Sequence, residues 1–205
     1  MNLIIFATGN KDKMREIREI MSDIDAQILS VKEAGICTDI NENGRTFEEN
    51  SLIKASAVAK ELPAGSGNTV VLADDSGLEI DALGGEPGVY SARYMGEDTS
   101  YTIKNAALLE RMKDVPVPER TARFVCAVAA VLPDGTHHIV RETIEGKIGY
   151  EPRGENGFGY DPIFYLPDLS CSTAELSPEE KNKISHRGKA LRAMEEYLQN
   201  TSIFR

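Results

Sequence analysis

The first apolar run, LIIFAT (3–8), is short, rich in β-formers and stops at Gly9-Asn10. The next segment, KDKMREIREIMSD, carries Met14, Ile17, Ile20 and Met21 at helical spacing. Strand, tight glycine turn and helix is the opening of an α/β protein. AQILSV (26–31) reads as a second strand. TFEENSLIKASAVAKEL (46–62) reads as a helix with an apolar stripe of Phe47, Leu52, Ala55, Ala59 and Leu62, ended by Pro63 and Gly65. TVVLA (69–73) is apolar without interruption, which predicts a strand at the centre of a sheet. Asp74-Asp75-Ser76-Gly77 is expected to end it, and GLEIDAL then alternates as a half-exposed strand before Gly84-Gly85.

Further on, TIKNAALLERMK (102–113) has a helical pattern. RFVCAVAAVL and HHIVRETIEGKI flank Pro133-Asp134-Gly135, a hairpin signal. EPRGENGFGYDP, with its glycines, reads as loop. Ser177-Pro178-Glu179-Glu180 supplies an N-cap, a proline at the first helical position and a capping-box glutamate, and the helix it opens runs toward Asn200.

A length of 205 residues fits one domain, 1–205, with room for two lobes. The net charge of −10 changes the picture of partners. It argues against nucleic acid and anionic membranes, which want a basic surface, but not against a small anion held by a metal ion and a few placed lysines. Cys37, Cys126 and Cys171 form no CxxC and suit reduced thiols. The N-terminal MNLIIFATGN is too short and uncharged for a signal peptide, and no apolar stretch is long enough to span a bilayer, so a cytoplasmic protein is expected.

Four segments carry candidate chemistry. Thr8-Gly9-Asn10 with Lys13 places turn amides and a full charge at a helix N-terminus, where an anion binds; a plain helix start is the alternative. Asp74 and Asp75 put two carboxylates where open α/β sheets bind ligands, a cluster suited to Mg²⁺, with Glu42, Glu48 and Glu49 upstream as further acids. GFGYDP (157–162) offers a glycine backbone, a stacking face on Phe158 and an acceptor on Asp161. Lys181 with Ser185-His186-Arg187 is a basic group on an acidic chain. On one straight helix, Lys181 and His186 differ by about 140°, and Lys181 and Arg187 by about 120° the other way, so they share a face only if the helix breaks near Ile184.

Taken in order, Thr8-Gly9-Asn10-x-x-Lys13, TFEENSLIKA, ADDSGLEIDALGGEPGVYSARY, GFGYDPIF and AELSPEEKNKISHR resemble the motifs of the inosine triphosphate pyrophosphatase family, the Ham1-like dITP/XTP diphosphatases. The motifs span residues 8 to 187, nearly the whole chain. The resemblance implies an elongated mixed β-sheet with flanking helices, two lobes around a nucleotide-binding cleft, and a homodimer. It implies Mg²⁺-dependent hydrolysis of deaminated purine nucleoside triphosphates (ITP, dITP and XTP) to the monophosphate and pyrophosphate, cleansing the nucleotide pool. Thr8, Gly9, Asn10, Lys11, Asp12 and Lys13 would then line the triphosphate. Asp75 would be catalytic base and metal ligand, and Ser76 a substrate contact. Phe158, Gly159, Tyr160 and Asp161 would hold the base, while Lys181, His186 and Arg187 complete the nucleotide site, with a donor from His186 or Arg187 facing the purine O6. The family often has two acids where this chain reads Ile40-Asn41-Glu42-Asn43-Gly44, which leaves Glu42 as the second metal ligand and Glu49 or Asp74 as alternatives. Two rival readings are a Maf-like house-cleaning pyrophosphatase and a nucleotide-binding sensor without catalysis.

Overall fold

Apolar runs become strands and striped segments become helices, in the order β1 (Leu3–Phe6), α1 (Lys11–Ile20), β2 (Gln27–Ser30), α2 (Phe47–Lys60), β3 (Thr69–Ile80), α3 (Tyr101–Arg111), β4 (Thr121–Val131), β5 (His137–Ile148), β6 (Phe164–Leu166), β7 (Cys171–Ser172), α4 (Pro178–Ile184) and α5 (His186–Asn200). The structure is a computed structural model that describes residues 2–63 and 67–201; Gly65, expected to help end α2, lies outside the described residues. The strands form one mixed sheet in the order β2-β1-β3-β4-β5-β6-β7. β1 lies parallel to both β2 and β3, with Leu3 opposite Gln27 and Thr69, while β6 is antiparallel to β5 and β7.

Local chemistry sets the helix starts. Asn10, Thr46, Ser100 and Ser177 each cap a helix by accepting a backbone N–H on the side-chain oxygen, and Ser177 with Glu180 closes a full capping box.

Two expectations are corrected. The strand that begins at Thr69 does not end at the acid pair: β3 runs through Asp74-Asp75-Ser76-Gly77 to Ile80, and Asp81–Leu83 is a 3-10 turn rather than more strand. Successive residues of a strand point to opposite sides, so the two carboxylates are directed apart and each finds its own cations. The C-terminal helix is not continuous either. Ser185 leaves the helix with φ −65° and ψ 156°, which separates α4 from α5.

The chain divides into two compact units. The first comprises the residues up to Asp75, Cys126–Glu142 and those from Arg187 onward; the second comprises Ser76–Val125 and Thr143–His186. In the first unit the central strands β1, β3 and β4 are buried on both sides. Ile4, Phe6, Val70, Leu72, Val128 and Ala130 pack with Met14 and Ile17 of α1 and Leu191 and Met194 of α5. Ile5, Val71, Ala73 and Ala129 pack on the other side with Ala55 and Val58 of α2. The second unit has its own core, in which Leu78, Ile80, Phe124, Ile148 and Phe164 meet Leu108 of α3. No helix among the described residues is long and apolar enough to cross a membrane.

Candidate active site

The alternation of β3 decides the geometry of the first unit. Even-numbered Val70 and Leu72 face α1 and α5, so Asp74 does too. Its Oδ2 lies 2.8 Å from Lys13 Nζ and 3.3 Å from Arg187 Nη2, with no side-chain exposure. Arg187 Nη1 also donates to Glu16 Oε2 at 2.6 Å, so a buried guanidinium joins two carboxylates. Burial alone would raise the Asp74 carboxyl, but Lys13, Arg187 and Lys54 outweigh it and hold it well below the ordinary carboxylate range. Burial likewise works against the Arg187 charge, and Asp74 and Glu16 overcome it.

Odd-numbered Val71 and Ala73 face α2, and Asp75 follows them. Asn50 Nδ2 donates to Asp75 Oδ2 at 3.1 Å, and Lys54 Nζ lies 3.2 Å from Oδ1. Asn50 and Lys54 are one turn apart on α2, which aligns them on one face. Lys54 Nζ also donates to Glu42 Oε2 at 2.8 Å. The loop that carries Glu42 is drawn onto α2 by the Gly44 amide, which donates to Asn50 Oδ1 at 2.9 Å. A Cβ on Gly44 would sit 2.7 Å from that oxygen, so the approach needs glycine. Burial pushes the Asp75 carboxyl up from its usual value, and Lys54, Lys13 and Asn50 offset this only in part. Lys54 is held above the usual lysine value because Asp75, Asp74 and Glu42 outweigh the cost of burying its charge.

Glu42 and Asp75 therefore share one ammonium. A hard dication that keeps most of its water needs only one or two protein carboxylates, and these two already converge on a positive charge, so the donor set fits such an ion. Among the described residues no group of three or more His, Cys, Asp or Glu is placed to hold a metal. The two alternatives are engaged elsewhere: Asp74 in the buried ion pairs, and Glu49 through Oε2 with the Arg45 amide at 2.6 Å.

The expected phosphate turn is partly occupied by its own side chains. Asn10 Oδ1 accepts from the amides of Asp12 (2.9 Å) and Lys13 (3.1 Å), and Thr8 Oγ1 from that of Asn10 (3.2 Å). The Gly9 and Lys11 amides have no protein partner among the described residues. Lys13 is the charge at this turn that reaches inward, to Asp74.

In the second unit Asp161 organises the glycine loop. Its Oδ2 accepts from the Phe158 amide (2.8 Å) and from Lys181 Nζ (2.7 Å), and its Oδ1 from Thr173 Oγ1 (2.9 Å). Lys181 Nζ lies 5.0 Å from the centre of the Phe158 ring, so one lysine touches both ends of the motif. Gly157 has φ +72°, and a Cβ there would come within 2.2 Å of Asp161 Oδ2. Gly159 O accepts from Asn105 Nδ2 of α3 at 3.1 Å, and the Tyr160 hydroxyl donates to Ser91 O at 2.7 Å. Tyr160 also meets Tyr101 edge to face, with ring centroids 5.2 Å apart. His186 is buried and stacks on Phe124, with centroids 4.9 Å apart and planes at 17°. Ser76 is half-buried within β3.

The structure thus redistributes the basic group read from the C-terminal motif. Lys181 joins Asp161, and Arg187 is held by Asp74 and Glu16. Sequence reasoning missed Glu16, Asn50, Asn105 and Thr173. Glu16 had one signal, since it is three residues from Lys13 on the buried face of α1; Asn105 and Thr173 had none.

A family model described as the Ham1 family matches residues 4–197. The chain is similar to the dITP/XTP pyrophosphatase of Exiguobacterium sibiricum, at 48% identity over 95% of this chain and 96% of that protein. The dITP/XTP pyrophosphatase of Bacillus subtilis is 46% identical over 97% of this chain and 98% of its own length. Among solved structures, the Ham1 protein of Staphylococcus aureus matches with a TM-score of 0.85 at 40% identity, covering 97% of this chain and 98% of that one. With relatives of this closeness along nearly its whole length, the chain belongs to the Ham1 family.

Proposed function

We propose that this protein is a cytoplasmic, homodimeric, Mg²⁺-dependent pyrophosphatase that hydrolyses deaminated purine nucleoside triphosphates (ITP, dITP and XTP) to the monophosphate and pyrophosphate. The observation that carries the reading is the Asp75–Lys54–Glu42 cluster, in which two carboxylates meet on one ammonium, with Asp75 and Lys54 buried and Glu42 partly exposed. The names of the relatives give the substrate class.

Phosphoryl transfer asks a protein mainly for positioning and charge neutralisation. Asp75, with Asn50 fixing one oxygen, is the group that orients the attacking water and takes its proton; a carboxyl raised by burial is better matched to that task than an ordinary one. Lys54 and Lys13 offset phosphate charge. Glu42 and Asp75 would hold Mg²⁺, which, when bound, supplies the neutralising charge on the phosphate oxygens. Phe158 supplies the stacking face for the base, on a loop that Asp161 and Lys181 hold in shape. His186 and the loop backbone are the remaining candidates for reading O6 and N1–H, because Arg187 is engaged with Asp74 and Glu16. Pyrophosphate release from ITP, XTP, GTP and ATP across a magnesium titration tests the proposal: release confined to the deaminated purines and dependent on the metal supports it. Binding without release would leave a sensor.

A further inference from the structure

The second unit contains a cavity of about 340 Å³ that no residue assigned above to nucleotide or metal lines. Ile148, Pro162, Ile163 and Pro167 give it apolar walls. Tyr150 and Val117 also line it and remain 62% and 51% exposed.

Its charge is unusual for this chain. Arg120 is buried, and its guanidinium donates to the backbone oxygens of Met112, Val115, Ile148 and Gly149. Those acceptors are neutral, and among the described residues no carboxylate pairs with it. The Tyr150 ring covers the guanidinium, with Cζ 4.1 Å from the ring centroid. Lys147 lines the same cavity, and its side chain has no ion pair or hydrogen bond among the described residues. Arg153 is matched by Glu151 at 3.1 Å. On a chain of net charge −10, the lining is net positive, with a flat aromatic face and apolar walls.

Pockets of a few hundred Å³ with apolar walls and a few placed polar groups are the usual form of small-molecule sites. The geometry points to a binding site for a small planar organic anion, one flat ring bearing a carboxylate or a phosphate, in the cavity lined by Arg120, Lys147 and Tyr150. The ring lies along Tyr150 and the apolar wall, and the charge meets Lys147 with the Arg120 field behind it. A purely structural Arg120 accounts for its four carbonyl bonds. It does not account for an unpaired lysine and an exposed tyrosine on the same cavity.

The test is calorimetric titration of the full chain with 2-naphthoate, then displacement of that probe by inosine 5′-monophosphate, with 2-naphthalenemethanol as the uncharged control. Lys147→Glu and Tyr150→Ala, both outside the proposed catalytic machinery, are titrated in parallel after circular dichroism shows them folded. Saturable 1:1 binding of 2-naphthoate, weakened about tenfold in each variant and about tenfold for the uncharged control, is the expected result. Displacement by the monophosphate assigns the natural ligand to phosphates; failure to displace assigns it to carboxylates. No saturable binding in the millimolar range, or equal binding by parent and Lys147→Glu, overturns the proposal. So does a dimer in which peptide 145–153 is protected from hydrogen exchange and neither probe relieves that protection, because a second copy then fills the cavity.

Discussion

At the scale of single residues, Asp74 and Asp75 have different duties because one strand sends them to opposite sides. Asp74 is the anionic centre of a buried network with Lys13, Arg187 and Glu16, whereas Asp75 faces Asn50 and Lys54. Asp75→Asn keeps volume and removes the charge on which the proposed water and cation would depend, so turnover is expected to vanish while the melting temperature stays near the parent's. Near-parental pyrophosphate release from a folded variant would contradict the role. Glu42→Gln should weaken the magnesium dependence, read as a shift of the titration to higher concentration. Arg187→Ala leaves Asp74 and Glu16 buried without their shared cation, a loss of about 3–5 kcal/mol in a chemical denaturation. If the ion pairs to Asp74 and Glu16 are the whole role of Arg187, that variant's ratio of kcat/KM for ITP to that for ATP should match the parent's; a compressed ratio would give it the base-reading role.

At the scale of elements, the helix starts and the β4–β5 hairpin were legible because caps and turns are written in short local stretches: Thr46, Ser177-Pro178 and Pro133-Asp134-Gly135 all act where they stand. The run of β3 past its acids was not, because acid in a strand is unfavourable until cations from α1, α2 and α5 are in place, and those contacts span up to 113 residues of sequence. The break at Ser185 was foreshadowed by the angular conflict between Lys181 and Arg187, though no glycine or proline marks it. The role of Asp161 was half visible: the acceptor was read, but its partners Lys181 and Thr173 are long-range. Gly157→Ala would force a Cβ into the Asp161 carboxylate at a positive φ, so the Phe158 loop should lose its shape. The expected readout is a raised KM for every purine triphosphate alike; a selective change for one base would mean that the loop reads base identity directly.

A separate clamp joins α1 to the turn after β2. Arg18 Nη2 donates to Glu33 Oε2 at 2.6 Å, and the Ser30 amide and hydroxyl donate to the same oxygen. The Arg18 bond first, and then those of Ser30, lower the Glu33 carboxyl from 4.5 to about 2. A carboxyl lowered on folding contributes stability that is fully present above its unfolded value and is lost as the pH falls through its folded one. Glu33→Gln should therefore flatten the stability curve between about pH 4.5 and pH 2 and leave its shape unchanged at neutral pH; an unaltered acid limb would show that the clamp carries no linkage.

For the molecule as a whole, acidity and catalysis of an acidic substrate's hydrolysis are compatible because the cations that matter are placed rather than abundant. Lys54 and Lys13 sit against Asp75 and Asp74, and Lys181 against Asp161. In the proposed mechanism Lys54 and Lys13 exchange a carboxylate for a phosphate oxygen when the nucleotide binds, and a bound metal would neutralise the acids they leave. The central claim, that Asp75 drives release of pyrophosphate from deaminated purine triphosphates, is tested most directly by kcat/KM for pyrophosphate release from ITP, XTP, GTP and ATP with magnesium, in the parent and in Asp75→Asn. The expected result is turnover of ITP and XTP well above GTP and ATP in the parent, and no turnover of any of the four in the variant. Equal efficiency on ATP, or undiminished release by folded Asp75→Asn, would contradict it.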